Sequence, residues 1–131
     1  MKRRCLLYLS LLSGALILLG SLGPYDFRHW SLMSPANSFQ VLGLFSLTPH
    51  RLVHLLAFGF LSACLSLASP RPNQRVLALF AVIALGAFVE TVEFFTTTNP
   101  FELWDVRDDT YAACAGFALA QLYFSTLRLF R

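Results

Sequence analysis

The chain has 131 residues, 56% of them hydrophobic and only 13% charged, with a mean hydropathy of +0.62. That is too apolar for an ordinary soluble domain and is the composition of one small integral membrane domain. The formal charge of +3 and pI near 9.0 imply no nucleic-acid partner, because the basic residues flank apolar runs and read as anchors at anionic lipid headgroups.

A helix needs about 20 apolar residues to cross a hydrocarbon core of roughly 30 Å. Four runs meet that need, which predicts an all-α membrane protein with spans at about 5–23, 50–69, 75–96 and 109–130. The first run follows Lys2, Arg3 and Arg4, a start that a secretory signal peptide would share. Its length and the poor cleavage stretch Ser21-Leu22-Gly23 favour a span. Pro24 to Trp30 then resembles an interfacial collar of aromatic and polar groups. A further apolar stretch at about 38–48 is too short to cross and predicts a short interfacial or re-entrant segment in the first outer loop.

The second span opens on His50, Arg51 and His54 and carries Gly59 and Ala63. Pro70, Pro72 and Asn73 make so short a turn that the second and third spans must be antiparallel neighbours. Near its far end the third span holds Glu90 and Glu93, three residues apart and therefore on one helix face. Asp105, Asp108 and Asp109 are expected at or ahead of the N-terminus of the fourth, whose Ala112, Gly116 and Ala120 recur at steps of four. Small residues let helices approach closely in lipid, so these positions and Gly59 and Ala63 are expected to face the bundle interior. Cys5, Cys64 and Cys114 show no metal or disulfide spacing and read as buried, inert thiols.

If the four spans alternate, Lys2, Arg3, Arg4, Arg71, Arg75, Arg128 and Arg131 fall on one side, and only Arg28, Arg51 and Arg107 on the other. Cytoplasmic loops retain Lys and Arg, which predicts both termini in the cytoplasm and outward-facing loops 24–51 and 97–109. The acids agree: Asp26, Glu102, Asp105, Asp108 and Asp109 lie outside, and Glu90 and Glu93 near that surface.

Glu90 lies about 20 Å along its span, and the start of the second span returns to the same depth. Three separate parts of the chain thus deliver ionisable groups to one level, where carboxylates in apolar surroundings face the protein interior or water and need partners. The candidate polar cluster is Arg51, His54, Glu90, Glu93, Asp105 and Asp109. Within it, Arg51 or a protonated His54 suits Glu90 as a partner. Plainer roles stand beside this one: Asp105 or Asp108 as an N-cap of the fourth helix, Arg51 and His50 as interfacial snorkellers, Glu93 as a solvated carboxylate, and Glu90 as half of a structural ion pair.

The order HRLVHLLAF, GAFVETVEFF and FELWDVRDDTYAACAG over roughly residues 50–120 resembles the VanZ-like family of small bacterial membrane proteins, named for a teicoplanin-resistance protein. In that family a basic residue and a His, then a Glu, then an Asp occur in this order, which matches Arg51 and His54, Glu90, and Asp105. His50 stands where the family usually has Asp, Glu93 where it has Gln, and Asp109 where it has Asn. The Arg common before the third motif is absent from 96–100.

The resemblance implies a cell-envelope protein of the bacterial inner membrane, related to glycopeptide resistance or envelope maintenance. A binding role is expected, with a membrane lipid, a lipid-linked glycan or glycopeptide group, or another membrane protein as partner. The alternatives are a membrane-embedded hydrolase or transferase acting on a lipid-linked precursor, and a small accessory subunit of a larger complex. A divalent metal is a further option, with His54, Glu90, Glu93 and Asp105 as candidate ligands, although no tight ligand motif accompanies them.

Overall fold

The computed structural model describes residues 3–22, 39–41, 45–47, 49–96 and 103–130. The elements are α1 (Arg3–Leu22), β1 (Phe39–Val41), β2 (Phe45–Leu47), α2 (Pro49–Ala68), α3 (Pro72–Thr96) and α4 (Leu103–Leu129). Three helices are long and apolar enough to cross a membrane, over Arg3–Gly20, Arg51–Ala68 and Pro72–Thr96. Large apolar side chains such as Leu11, Leu16, Phe60, Phe80 and Leu122 point outward. A surface this apolar suits a membrane protein. The expected collar at 24–30 and most of the two expected outward loops lie outside the described residues.

The helix α4 has 27 residues, about 40 Å of helix at 1.5 Å per residue. It is long enough to span but less apolar than the others, because its inward face trades bulk for charge and close approach. Asp105, Asp108, Asp109, Ala112, Ala113, Gly116 and Ala120 are its buried positions. Their spacing of three and four continues the small-residue pattern upstream into the acids, so the helix starts at Leu103 and not near residue 109 as expected. Asp105 therefore sits inside the first turn and Asp108 in the second, and neither is the N-cap.

All four helices meet in one core, formed by Ile17 of α1, Phe58 and Leu61 of α2, Val82 and Val89 of α3, and Ala112 and Ala113 of α4. The central helix is α2, which packs on the other three and most extensively on α4. That seam is set by glycine. A Cβ on Gly116 would lie 2.1 Å from the Gly59 carbonyl oxygen, and one on Gly59 would lie 3.4 Å from the Ala112 oxygen. Nothing larger than hydrogen fits at Gly116, so the expectation that Gly59, Ala112, Gly116 and Ala120 face inward holds. The Ser62 hydroxyl donates across the seam to the Ala113 carbonyl at 2.7 Å.

Three residues, 69–71, join α2 to α3, and Pro72 occupies the first helical position, where its missing N–H costs no hydrogen bond. Pro72 and Asn73 therefore belong to α3 and not to the turn. At this end of the bundle Leu6 of α1 packs on Cys64 and Ala68. Arg3 Nε donates to the Ala68 carbonyl at 2.9 Å. Arg75, expected beside a loop as a lipid anchor, is buried at 5% exposure. Its Nε donates to Ser69 O at 3.0 Å, Nη1 to Gln121 Oε1 at 3.2 Å and Nη2 to Pro70 O at 3.2 Å. The Phe124 ring covers its plane at 3.6 Å. Backbone carbonyls of the α2–α3 turn, together with the Gln121 side chain, are what fix it there.

Two further expectations change. The stretch expected as one short interfacial or re-entrant segment contains two strands, 39–41 and 45–47, paired antiparallel with Phe39 opposite Leu47 and Val41 opposite Phe45. Only Cys64 is a buried thiol; Cys5 and Cys114 are exposed on the outer faces of α1 and α4.

Candidate functional site

At the end of the bundle opposite Arg75, the first turns of α2 bring Arg51 and His54 against the first turns of α4. Arg51 Nε donates to Asp108 Oδ2 at 2.6 Å. The other carboxylate oxygen, Oδ1, accepts from Arg107 Nε at 3.0 Å and Nη2 at 2.7 Å. One buried carboxylate is thus held by two guanidinium groups, an arrangement of charge-assisted bonds about twice as strong as neutral ones. Arg107 is held in turn over the Trp104 ring at 4.6 Å and near Tyr111 at 5.9 Å.

One residue further along α4, Asp109 Oδ1 lies 3.0 Å from His54 Nδ1. The imidazole stacks on Phe58, centroids 6.0 Å apart with planes 18° from parallel. Phe58 is itself buried in the core, so ring and carboxylate are oriented by packing as well as by charge. The space for Asp109 comes from α3: a Cβ on Gly86 would sit 2.9 Å from Asp109 Oδ2 and 3.0 Å from its Cβ. Glycine at 86 is what lets α3 close over the pair.

Asp105, 5% exposed, is one turn before Asp108 and Asp109 and close enough to act electrostatically on both Arg51 and His54. Glu93, half-buried, acts on His54 as well. Glu90, 4% exposed, lies one turn beyond Gly86 on the same buried face of α3. Three helices therefore bring Arg51, His54, Asp105 and Asp109 together with Glu93 beside them and Glu90 on the adjoining face.

Two participants were not in the set read from the sequence: Asp108, and Arg107, which was assigned to an outward loop. The signal for Asp108 was the small-residue spacing on α4 read one turn upstream from Ala112; Arg107 lies off that stripe and joins as the chain neighbour of Asp108. The expected partner for Glu90 was Arg51 or His54; the ion pairs these two make to α4 are with Asp108 and Asp109. Among the described residues, no group of three or more His, Cys, Asp and Glu is placed to hold a metal ion, so His54, Glu90, Glu93 and Asp105 do not assemble as a ligand set.

The arrangement offers two guanidinium groups, one imidazole and five carboxylates within a few turns of helix. Such a set can donate to phosphate and carbonyl oxygens and accept from hydroxyl, amide and ammonium groups. No protein-family model, curated protein or solved structure matches the chain.

Proposed function

We propose that this chain is a VanZ-like membrane protein of the bacterial cell envelope whose charged cluster binds the polar group of an envelope lipid, glycan or glycopeptide, in the service of glycopeptide resistance or envelope maintenance. In this reading α4 is the fourth span, the protein lies in the inner membrane, and both termini are cytoplasmic. The cluster then lies just under the outer surface. The convergence of Arg51, His54, Asp105, Asp108 and Asp109 at one end of the α2–α4 seam carries the proposal.

Buried ion pairs are poor stabilisers, since desolvation offsets much of their attraction and apolar groups of similar size do as well or better. The seam is already fixed by Gly59 and Gly116. Charges retained beside a seam that does not need them are best explained by a polar ligand. Support for the orientation comes from the opposite end, which gathers Arg3, Arg71, Arg75 and Arg128.

One observation favours a second reading, a membrane-embedded hydrolase or transferase acting on a lipid-linked precursor. Asp109 bonded to Nδ1 fixes the His54 ring in the way a carboxylate positions an imidazole for proton transfer through Nε2.

Both readings meet in one experiment. Thermal unfolding of the purified protein is followed with and without a polyprenyl-pyrophosphate-linked disaccharide pentapeptide. The expected result is a raised midpoint for wild type and no shift for Arg51→Gln, because a ligand that binds only the folded protein stabilises it. The same shift in both proteins, or none in either, rejects the cluster as the binding site. Conversion of the precursor by wild type but not by His54→Gln would favour the enzymatic reading.

A further inference from the structure

The end of the bundle away from the charged cluster has five arginines among the described residues and no carboxylate. They are Arg3 and Arg4 at the start of α1, Arg71 in the turn, Arg75 in α3 and Arg128 in the last turn of α4. Every described acid is at the other end, in the last two turns of α3 or the first two of α4. Among the described residues no acidic side chain balances the positive charge here.

The five are not equivalent. Arg75 is fully engaged, with its donors on Ser69, Pro70 and Gln121 and its face under Phe124. Arg3 uses only Nε, on the Ala68 carbonyl, and its two Nη groups make no hydrogen bond among the described residues. Arg71 is exposed three residues after Ala68, and its side chain likewise makes no bond among the described residues. The tertiary fold therefore brings two open guanidinium groups, from positions far apart in sequence, to the same α2–α3 turn. A turn deeper, exposed Leu7 and Leu11 of α1 and Val76 and Leu77 of α3 present apolar surface.

We propose that Arg3 and Arg71 form a recognition site for the phosphodiester of an anionic phospholipid, with the acyl chains lying along the exposed apolar faces of α1 and α3. A guanidinium fork matches two phosphate oxygens at once, and the anion relieves the repulsion between the two cations. Helix ends flanked by apolar side chains lie at headgroup depth, where lipid phosphate is the available counter-charge. The site holds for either leaflet, and it depends on the membrane reading but not on the function assigned to the opposite cluster.

The test is native mass spectrometry of the full chain in detergent, incubated with phosphatidylglycerol and phosphatidylcholine in equal amounts. Wild type is expected to retain phosphatidylglycerol preferentially. Arg71→Gln and Arg3→Gln are each expected to lower that retention about fivefold, and Arg128→Gln, which removes the same charge elsewhere at this end, by less than about twofold. Because Arg71 is exposed, its variant should melt like wild type, which separates lost binding from lost folding. Equal losses in all three variants would show only diffuse attraction and overturn the site. So would equal retention of the two lipids. Displacement of phosphatidylglycerol by equimolar inorganic phosphate would show that the pair recognises free phosphate, and would overturn the lipid assignment.

Discussion

The two ends of this bundle handle charge in opposite ways. At one end, Arg51, Arg107 and His54 are paired side chain to side chain with Asp108 and Asp109. At the other, Arg3 rests on the last carbonyl of α2 and Arg75 on those of Ser69 and Pro70 in the turn that follows, with no described acid near. In the first arrangement side chains bond to side chains, with Arg51 and His54 of α2 meeting acids of α4 and Arg107 meeting its chain neighbour Asp108. The second uses the partial charges that every helix end already carries. The difference separates a cluster of paired side-chain charges, the proposed ligand site, from a clamp on backbone carbonyls with an open pair of arginines at its rim.

The glycine seam between the ends supports both. Gly116→Ala forces a methyl group against the Gly59 carbonyl, and because backbone cannot yield, the helices must part. The expected loss is upwards of about 3 kcal/mol in detergent unfolding. Both ends should open together, read as faster hydrogen exchange at the His54 and the Arg75 levels alike. Protection lost at only one end would mean that the two regions are not joined through this seam.

Next in size is Asp108→Asn, which leaves Arg51 and Arg107 without their shared carboxylate. About 2 kcal/mol is expected to be lost, since hydrogen bonds to charged groups are among the strongest. Adding Arg51→Gln should return part of it by removing the stranded cation. A double variant no better than the single one would deny that the pair is coupled. Arg75→Lys tests the opposite end, where shape and not charge is at stake. The ammonium keeps the charge but loses the planar fork and the close face on Phe124. A loss of about 1 kcal/mol is expected, and Arg75→Gln should fare little worse. A lysine that melts like wild type would make Arg75 a simple charge.

The smallest effect belongs to Ser66, which is fully buried with no hydrogen-bond partner among the described residues. Ser66→Ala removes an unsatisfied hydroxyl, and a gain of about 0.5 kcal/mol is expected. A loss would show that the hydroxyl has a partner such as a buried water.

Much of this was legible in the chain. Apolar runs gave α1, α2 and α3 to within a few residues, and Pro70, Pro72 and Asn73 marked an α2–α3 turn that the structure puts at 69–71. Ala112, Gly116 and Ala120 announced the close seam. The pairing of 39–41 with 45–47 was less legible, because a short apolar run does not say whether it forms one element or two.

Sequence by itself determined which segments are helical and at which end of the bundle each described charge lies, because hydropathy and length are summed along a helix and need no neighbours. The tertiary structure alone decided which charges meet. Arg51 reaches Asp108, His54 reaches Asp109, and Arg75 turns inward to the carbonyls of Ser69 and Pro70. A sum along the axis carries no information about how far each helix is rotated about it. That rotation is fixed where Gly59 meets Gly116 and where Gly86 admits Asp109, by backbone contacts between positions distant in the chain.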